Sequence, residues 1–595
     1  MSQIKVNLNG EETEVIIDWS NLEDQAAFSL FLSTEFSDVQ IFRNQISIPL
    51  GKFISSRRNF SSFLSTNPTL RQETFISEDV KKAIRNIPKY KDEIGQQVVK
   101  DEGSITNELK VKGFKRELKW FQLRNLVKVS NLSSIANFSV PGSGKTTEAL
   151  AFFSLKKTSD NDRLLIISPI NAFTAWEEDV PECIEGKEVV RLRGDITDIN
   201  KLLNKEDKFF ITNYEYLRTN LEFLKVIAEE LLNKDRNYFV VLDESHKMKG
   251  EETSKILSYI SPLVKNKIIL TGTPMPQGPK DLLPQFSFLY PEERLISEET
   301  IVSKFQPIYV RTTKNDMNKK STTLPPLVEK IKEIEMSDGH REVYDIIKNR
   351  LKEEKFNFKK LEDIKAFKRA VMRMLQICSN PLLQIDYISK LDQKLADKLL
   401  DEGIGSKMNQ LISDVNLLAQ NQKIIVWSSF PKNLRFLQTN LSHLNAVSVY
   451  GGIPSGDAED IETREYAINQ FKNNEYCRVF LANPMAAGEG ISLHKACHKA
   501  LYLDRTYNLA HYLQSKDRIH RIGSDINRDV EIDIYQLKSS VDVDVHHRLE
   551  LKLANMSRFL NDPSILSNFQ SLDVEESNDW ENDDLRSAYE FITNA

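Results

Sequence analysis

The segment Ser139-Val140-Pro141-Gly142-Ser143-Gly144-Lys145-Thr146 narrows the possible folds more than any other. It follows an apolar stretch and precedes a helical one, so it reads as a strand–loop–helix turn that holds phosphate. Gly142 and Gly144 let backbone N–H groups turn toward an anion, and the helix N-terminus adds the positive end of its dipole. Lys145 is placed to reach the β- and γ-phosphates of ATP, and Thr146 to ligate Mg2+. Pro141, Ser143 and Thr147 complete the expected nucleotide-contacting stretch. Ser139 stands where the common G-x-x-x-x-G-K-T pattern has its leading glycine.

Such a loop belongs in a parallel α/β sheet, and the rest of the chain supplies one twice. Leu164–Ile167, Phe209–Ile211, Phe239–Leu242 and Lys267–Leu270 are short apolar runs separated by helical stretches. The same alternation returns with Lys423–Trp427, Ala446–Val449, Arg478–Leu481 and Ala500–Leu503. Runs of this kind are strands buried on both faces. The predicted fold is therefore α/β: two RecA-like, doubly wound parallel-sheet lobes with a helical insertion and a small N-terminal α+β domain. The expected division is 1–105 accessory domain, 106–325 first lobe, 326–400 helical insertion, 401–555 second lobe and 556–595 acidic tail. In the accessory domain, alternating Ile4, Val6 and Leu8, then Asn9-Gly10, then Val15–Ile17 predict a hairpin with a type I′ turn.

Two further elements carry chemistry. Val240-Val241-Leu242-Asp243-Glu244 ends a buried strand in two adjacent carboxylates. Asp243 is suited to hold Mg2+, directly or through water, and Glu244 to orient and deprotonate an attacking water. In the second lobe, Gln514, Arg518 and Arg521 fall on one helical face at i, i+4 and i+7. Facing the cleft, the two arginines would act as arginine fingers on the γ-phosphate.

Net charge is −6, so any contact with nucleic acid must come from a local basic surface. The run Lys359-Lys360, Lys365, Lys368-Arg369 and Arg373 either lines such a groove or is a solvated helical face. The four cysteines are scattered without a C-x-x-C pair, so no disulfide framework is indicated. His494, Cys497 and His498 are read as packed side chains rather than a metal site. No apolar run has the length of a membrane span and the N-terminus lacks a signal-peptide pattern. The expectation is a cytoplasmic protein, or a nuclear one in a eukaryote, without membrane contact. The segment Glu575–Asp584 is acidic and reads as a disordered tail or an interaction segment.

Together these motifs resemble helicase superfamily two, and within it the Swi/Snf-type branch of DNA translocases, over about Leu118 to Gly523. Leu118–Gln122 resembles the stretch whose glutamine, Gln122, reads adenine. Ile167-Ser168-Pro169 with Trp176 and Glu177, and Ile211-Thr212-Asn213-Tyr214-Glu215, resemble motifs Ia and Ib. Asp243-Glu244-Ser245-His246 is similar to the DEAH box. Leu270-Thr271-Gly272-Thr273-Pro274 resembles motif III, so His246, Thr271, Gly272 and Thr273 are implied to couple nucleotide state to lobe movement. Gln376–Leu383 and Arg311–Lys314 with Leu324-Pro325 point to the Swi/Snf branch. Val426–Phe430 and Ala486–Leu493 resemble motifs IV and V, the latter bringing Gly488 and Gly490 to the nucleotide. The sequence departs from the family at the form of the phosphate loop, at Ser245 where Ala is usual, and at Ser524 where Gln is common.

The resemblance implies an ATP- and Mg2+-dependent motor on double-stranded DNA, with a strand-separating helicase or a nucleotide-binding scaffold as alternatives. Ser168, Thr212, Asn213, Ser428, Ser429 and Ser492 are candidates for gripping the nucleic-acid backbone, or else loop residues satisfying local backbone. A protein partner is expected at the N-terminal domain or the acidic tail.

Overall fold

A computed structural model describes residues 4–594 except 11–12, 23–24, 37–38, 86–88, 95–99, 206–207, 234–235, 294–295, 319–323, 355, 359, 455–460, 462, 488–490, 522–523 and 563–579. The chain forms two units, Met1–Pro274 with Asp281–Thr312, and Met275–Lys280 with Thr313–Ala595.

The first unit holds two sheets. Strands β1 (Ile4–Leu8), β2 (Glu14–Asp18), β3 (Ile41–Phe42), β4 (Gln45–Pro49) and β5 (Thr74–Ile76) form a small sheet in the order β3-β4-β2-β1-β5. Its alternating residues Ile4, Val6, Val15, Ile17, Ile46 and Ile48 bury one face against Trp19, Phe28 and Phe53. The hairpin exists, but Leu8 pairs with Val15, so the connection is longer than the two-residue turn expected at Asn9-Gly10. Asn9 instead accepts the Thr13 and Glu14 N–H groups through its side chain and closes a wider loop. The helix Leu50–Thr66 then seats this domain on the rest of the unit. A Cβ at Gly51 would lie 2.3 Å from the Tyr259 carbonyl oxygen, so the two backbones meet where only glycine fits.

The second sheet of this unit contains β6 (Ser134–Asn137), β7 (Arg163–Ile167), β8 (Glu188–Arg191), β9 (Lys208–Thr212), β10 (Tyr238–Asp243), β11 (Asn266–Leu270) and β12 (Tyr309–Val310). The order is β12-β6-β11-β10-β7-β9-β8, and every pairing is parallel. Its central strands are buried from end to end, which explains why they carry unbroken apolar runs rather than alternation.

The other unit carries β13 (Leu327–Ile334), β14 (Ile424–Trp427), β15 (Val447–Val449), β16 (Val479–Ala482), β17 (Lys499–Tyr502) and β18 (Val530–Leu537), in the order β13-β18-β17-β14-β16-β15. All of these pairings are also parallel. Two segments differ from the sequence reading. Leu327–Ile334, expected within a helical insertion, is an edge strand paired with β18 along its whole length. The acidic C-terminal segment contains the helix Trp580–Asn594, whose Asp584 is buried against Arg548 (3.1 Å) and Lys552 (2.6 Å). Residues 563–579 of that segment lie outside the described residues. Among the described residues no helix is long and apolar enough to cross a membrane.

Candidate nucleotide-binding site

The phosphate loop joins β6 to the helix Lys145–Lys156. Gly142 and Gly144 have φ of +80° and +83°, left-handed values that suit glycine and let the loop wrap inward. Lys145 folds back over the loop, its Nζ 3.1 Å from the Ser139 carbonyl oxygen. Thr146 is part-exposed at the helix start. Thr147 is buried, and its hydroxyl accepts from Arg116 (2.7 Å), which also pairs with Asp179. The Thr147 side chain therefore anchors the helix. Gln122 reaches the same loop: its Nε2 donates to the Ser143 carbonyl at 3.1 Å, while its Oε1 accepts the Lys119 N–H.

The carboxylate pair stands at the end of β10, in the same unit. Asp243 Oδ2 accepts from the Ser168 hydroxyl (3.1 Å) and the Trp176 indole N–H (3.0 Å), and Oδ1 accepts the Glu244 N–H (3.0 Å). Burial, then the adjacent Glu244 charge, push the Asp243 carboxyl up, against the pull of Trp176, Lys145 and Ser168. Burial acts on Glu244 too. The hydrogen bond and charge of His246, with Lys145 and Lys247, outweigh it and hold Glu244 below the ordinary carboxylate range. Glu244 has φ +50°, an uncommon left-handed conformation for a residue with a Cβ. That turn brings its Oε2 within 3.3 Å of His246 Nδ1 and 3.4 Å of the Thr271 hydroxyl.

His246, Thr271 and Thr273 form one cluster, with His246 Nδ1 2.9 Å from Thr271 Oγ1 and 3.5 Å from Thr273 Oγ1. Gly272 lies between them without a side chain, and a Cβ there would sit 3.1 Å from Pro141 of the phosphate loop. The carboxylate pair, the Thr271–Thr273 turn and the phosphate loop are thus in mutual contact. Gln285, not singled out from the sequence, clamps this arrangement. It accepts from the Ser245 hydroxyl (2.8 Å) and donates to the Pro274 carbonyl (2.7 Å). Its sequence signal is an amide among the apolar residues of the helix Leu282–Leu289, where the structure buries it fully.

Three of the backbone-grip candidates have buried side chains. Ser168 is buried with its hydroxyl on Asp243, Thr212 is buried, and Ser428 is buried with its hydroxyl 2.6 Å from Asp504 Oδ2. A side chain that faces inward cannot touch a phosphate backbone, so these three assignments are corrected. Asn213 caps the helix Tyr214–Thr219, Ser429 donates its N–H to Asp504 (2.6 Å), and Ser492 bonds His494 (2.8 Å); all three are part-exposed.

In the second unit, the helix Leu509–Lys516 ends before Arg518, so Gln514, Arg518 and Arg521 do not share one helical face. Arg518 is buried, donating to the Gln514 carbonyl (3.0 Å) and the Ile491 carbonyl (2.6 Å), whereas Arg521 is part-exposed. Lys516 and the Tyr512 hydroxyl both reach Glu329 of β13 at 2.8 Å, which fixes the helix to the edge strand. Gly488 and Gly490 lie outside the described residues. Cys497 donates to the Lys423 and Lys499 carbonyls beside the Ser492–His494 pair, the contacts of a packed thiol. Lys360, Lys365, Lys368 and Arg369 are exposed at or on the helix Leu361–Ser379, whose other side buries Phe367, Val371 and Met374. Arg373 stacks 4.4 Å from the Tyr387 ring centre, and Lys359 lies outside the described residues.

Two parallel-sheet units, one with a phosphate loop facing a strand-end Asp-Glu pair, define a RecA-like nucleotide-binding protein. Residues 138–295 match the SNF2-related domain family, and residues 406–523 match the helicase conserved C-terminal domain family. The chain thus carries an SNF2-related domain followed by a helicase conserved C-terminal domain. It is 25% identical over 412 residues to the CHD3-type chromatin-remodeling factor CHR7 of Arabidopsis thaliana, covering 64% of this chain and 32% of that protein. It is 23% identical over 451 residues to the human chromodomain-helicase-DNA-binding protein 1, covering 69% and 25%. The matched stretch thus spans about a third or less of these relatives' own length. Among solved structures it is similar to the Sulfolobus solfataricus SWI2/SNF2 ATPase core in complex with dsDNA, at 19% identity and a TM-score of 0.31, covering 80% of this chain and 97% of that one.

Proposed function

We propose that the chain is an ATP-driven motor that translocates on or remodels double-stranded DNA without sustained strand separation. The observation that carries this reading is the meeting of the Lys145 loop, the Asp243–Glu244 pair and the Thr271–Thr273 turn within one unit. Lys145 and the loop N–H groups bind the phosphates. Thr146 and Asp243 would hold Mg2+. An all-oxygen set of one carboxylate and one hydroxyl suits a small hard cation that keeps waters and phosphate ligands. When bound, the ion neutralises charge on the phosphate oxygens. Glu244 orients water and takes its proton as the water attacks the γ-phosphorus and the bond to the β-phosphate oxygen breaks. His246 and Thr271 hold its carboxylate in place. The charge developing on the γ-phosphoryl group is what Arg518 and Arg521 would offset. Pro141 and Gly272, in contact with each other, transmit loop state to the Thr271–Thr273 turn. For Gln122 to read adenine it must exchange its present bond to the Ser143 carbonyl for one to the base.

Duplex DNA is the proposed partner because relatives are named for chromatin remodelling and DNA excision repair. The exposed basic side of the helix Leu361–Ser379 offers a sequence-independent contact, with Asn213, Ser429 and Ser492 as further candidates. A protein partner at the N-terminal sheet or the acidic C-terminal segment belongs to the same proposal.

The test is steady-state ATP hydrolysis by the wild type and Glu244→Gln, alone and with duplex DNA, single-stranded DNA or RNA. Stimulation by duplex that the variant lacks is expected. Stimulation by single strands or RNA alone would replace this reading with a strand-separating helicase. Nucleotide binding without turnover would replace it with a scaffold.

A further inference from the structure

A buried acid on the helix after the phosphate loop has no part in this mechanism. Glu148 is 3% exposed, and its Oε2 accepts from the side-chain amides of Asn125 (3.1 Å) and Asn137 (2.9 Å). Those amides lead to one place. Asn125 Nδ2 also donates to the Thr312 hydroxyl at 2.9 Å, and Asn137 Oδ1 accepts the Ser139 N–H at 3.0 Å. Thr312 N–H in turn donates to the Ser139 hydroxyl at 2.9 Å, and the Val140 N–H donates to the Thr312 carbonyl at 3.1 Å. The bonds close a ring through Glu148, Asn125, Thr312, Ser139 and Asn137, and every member is buried.

The ring has a notable membership. Asn125 lies on the helix Trp120–Val129 that carries Gln122, and Asn137 ends β6. Ser139 and Val140 open the phosphate loop, and the Ser139 carbonyl is the one that Lys145 holds. Thr312 is the last residue before the chain passes into the second unit. A polar ring inside an apolar sheet costs desolvation, and Leu126, Ile135, Ile268 and Val310 around it show that the site could have been filled with aliphatic groups.

We propose that Glu148 is a positioning residue that sets the phosphate loop against the chain's exit at Thr312, so that the loop's nucleotide-binding shape and the exit backbone are fixed together. The proposal rests on the reading of the Lys145 loop as the ATP site. What the ring needs at position 148 is an oxygen that accepts two amide N–H groups, which glutamine supplies and leucine does not. Thr312→Val opens the ring at its far end while keeping side-chain shape.

The experiment measures affinity for a fluorescent ADP analogue, KM and kcat for ATP, and thermal midpoint, on the full chain. The variants are Glu148→Gln, Glu148→Leu and Thr312→Val, with Lys145→Ala as control. Glu148→Gln is expected to bind within about twofold of the wild type. Glu148→Leu should weaken nucleotide binding about tenfold, as one or two orphaned amides imply. Its KM should rise more than its kcat falls. Thr312→Val, which leaves the loop sequence untouched, should shift affinity in the same direction by about threefold. If Glu148→Leu does not fold, Thr312→Val decides alone. Nucleotide affinity at the wild-type level in Thr312→Val, or equal losses of affinity and thermal midpoint in Glu148→Gln and Glu148→Leu, would overturn the proposal. Equal binding by wild type and Lys145→Ala would instead remove the reading of the loop, and the proposal with it.

Discussion

Asp243 and Asp504 occupy matching places in the two units and do different things there. Asp243 ends the central parallel strand β10 and Asp504 lies just past β17, and each accepts from a serine after a neighbouring strand, Ser168 after β7 or Ser428 after β14. Asp504 is 4% exposed and is closed off by three bonds of 2.6 Å, from Ser379, Ser428 and the Ser429 N–H. Asp243 has three donors at 3.0–3.1 Å, remains part-exposed, and has a second carboxylate next to it and a lysine loop opposite. A strand-end aspartate is therefore not chemical by position alone. It becomes so when like charge crowds it and a face is left open.

The comparison breaks most decisively by exchange of function. Asp243→Asn should lower ATP turnover about a thousandfold, on the scale of losing a central charge in the site. Its thermal midpoint should hold or rise, because repulsion of Glu244 is relieved. Turnover and melting curves of the purified variant check this, and a midpoint drop as large as the activity loss implies would put Asp243 in the structural class. Asp504→Asn should do the reverse. Losing a buried charged acceptor costs about 2–3 kcal/mol, so melting should move down by several degrees while residual turnover tracks the folded fraction.

A smaller effect comes from the indole donor on the Asp243 carboxylate. Trp176→Phe removes the indole N–H and keeps the ring, and is expected to raise the magnesium concentration for half-maximal turnover about tenfold. A magnesium titration of ATPase rate reads it directly.

The smallest effect contrasts two buried lysines at the starts of β11 and β17. Lys499 meets Glu531 and Asp533, both at 2.9 Å, whereas Lys267 meets the neutral oxygens of Ser261 at 3.1 and 3.2 Å. Burial, opposed weakly by Glu93, lowers Lys267 from 10.5 to about 7. Between those values the unfolded chain holds a proton that the folded one does not, so this residue makes stability rise with pH above about 7. Lys267→Met should flatten that rise. Thermal midpoints of wild type and variant should therefore converge or diverge steadily over about pH 7 to 9, with a constant difference counting against the assignment.

Much of this was legible before any coordinates. Strands β7, β9, β10, β11, β14, β16 and β17 each carry an unbroken run of apolar residues, because both faces are covered, and such a run has few other readings. The phosphate loop and the Asp-Glu pair are local patterns and needed no partner. What stayed hidden depends on distant groups. Leu327–Ile334 mixes Glu and Lys with aliphatics, and only β18 beside it makes it a strand. Asp584 reads as one of many acidic residues until Arg548 and Lys552 are found against it. The sequence places Ser168 and Ser428 at strand ends but not the direction of their hydroxyls, and that direction separates a phosphate contact from a carboxylate support. Arg518 was placed on a helix face by spacing alone, since nothing in the residues after Lys516 announces that the helix stops.

The contact at Gly51 bears on inheritance. Because no side chain fits between this residue and Tyr259, the N-terminal sheet and the helix Glu251–Ile260 must change in step. A recombination that brought in a foreign N-terminal sheet with a bulkier residue at this point would lose its seat. A transplanted N-terminal sheet would therefore need glycine at this one point of approach to keep its place on the unit.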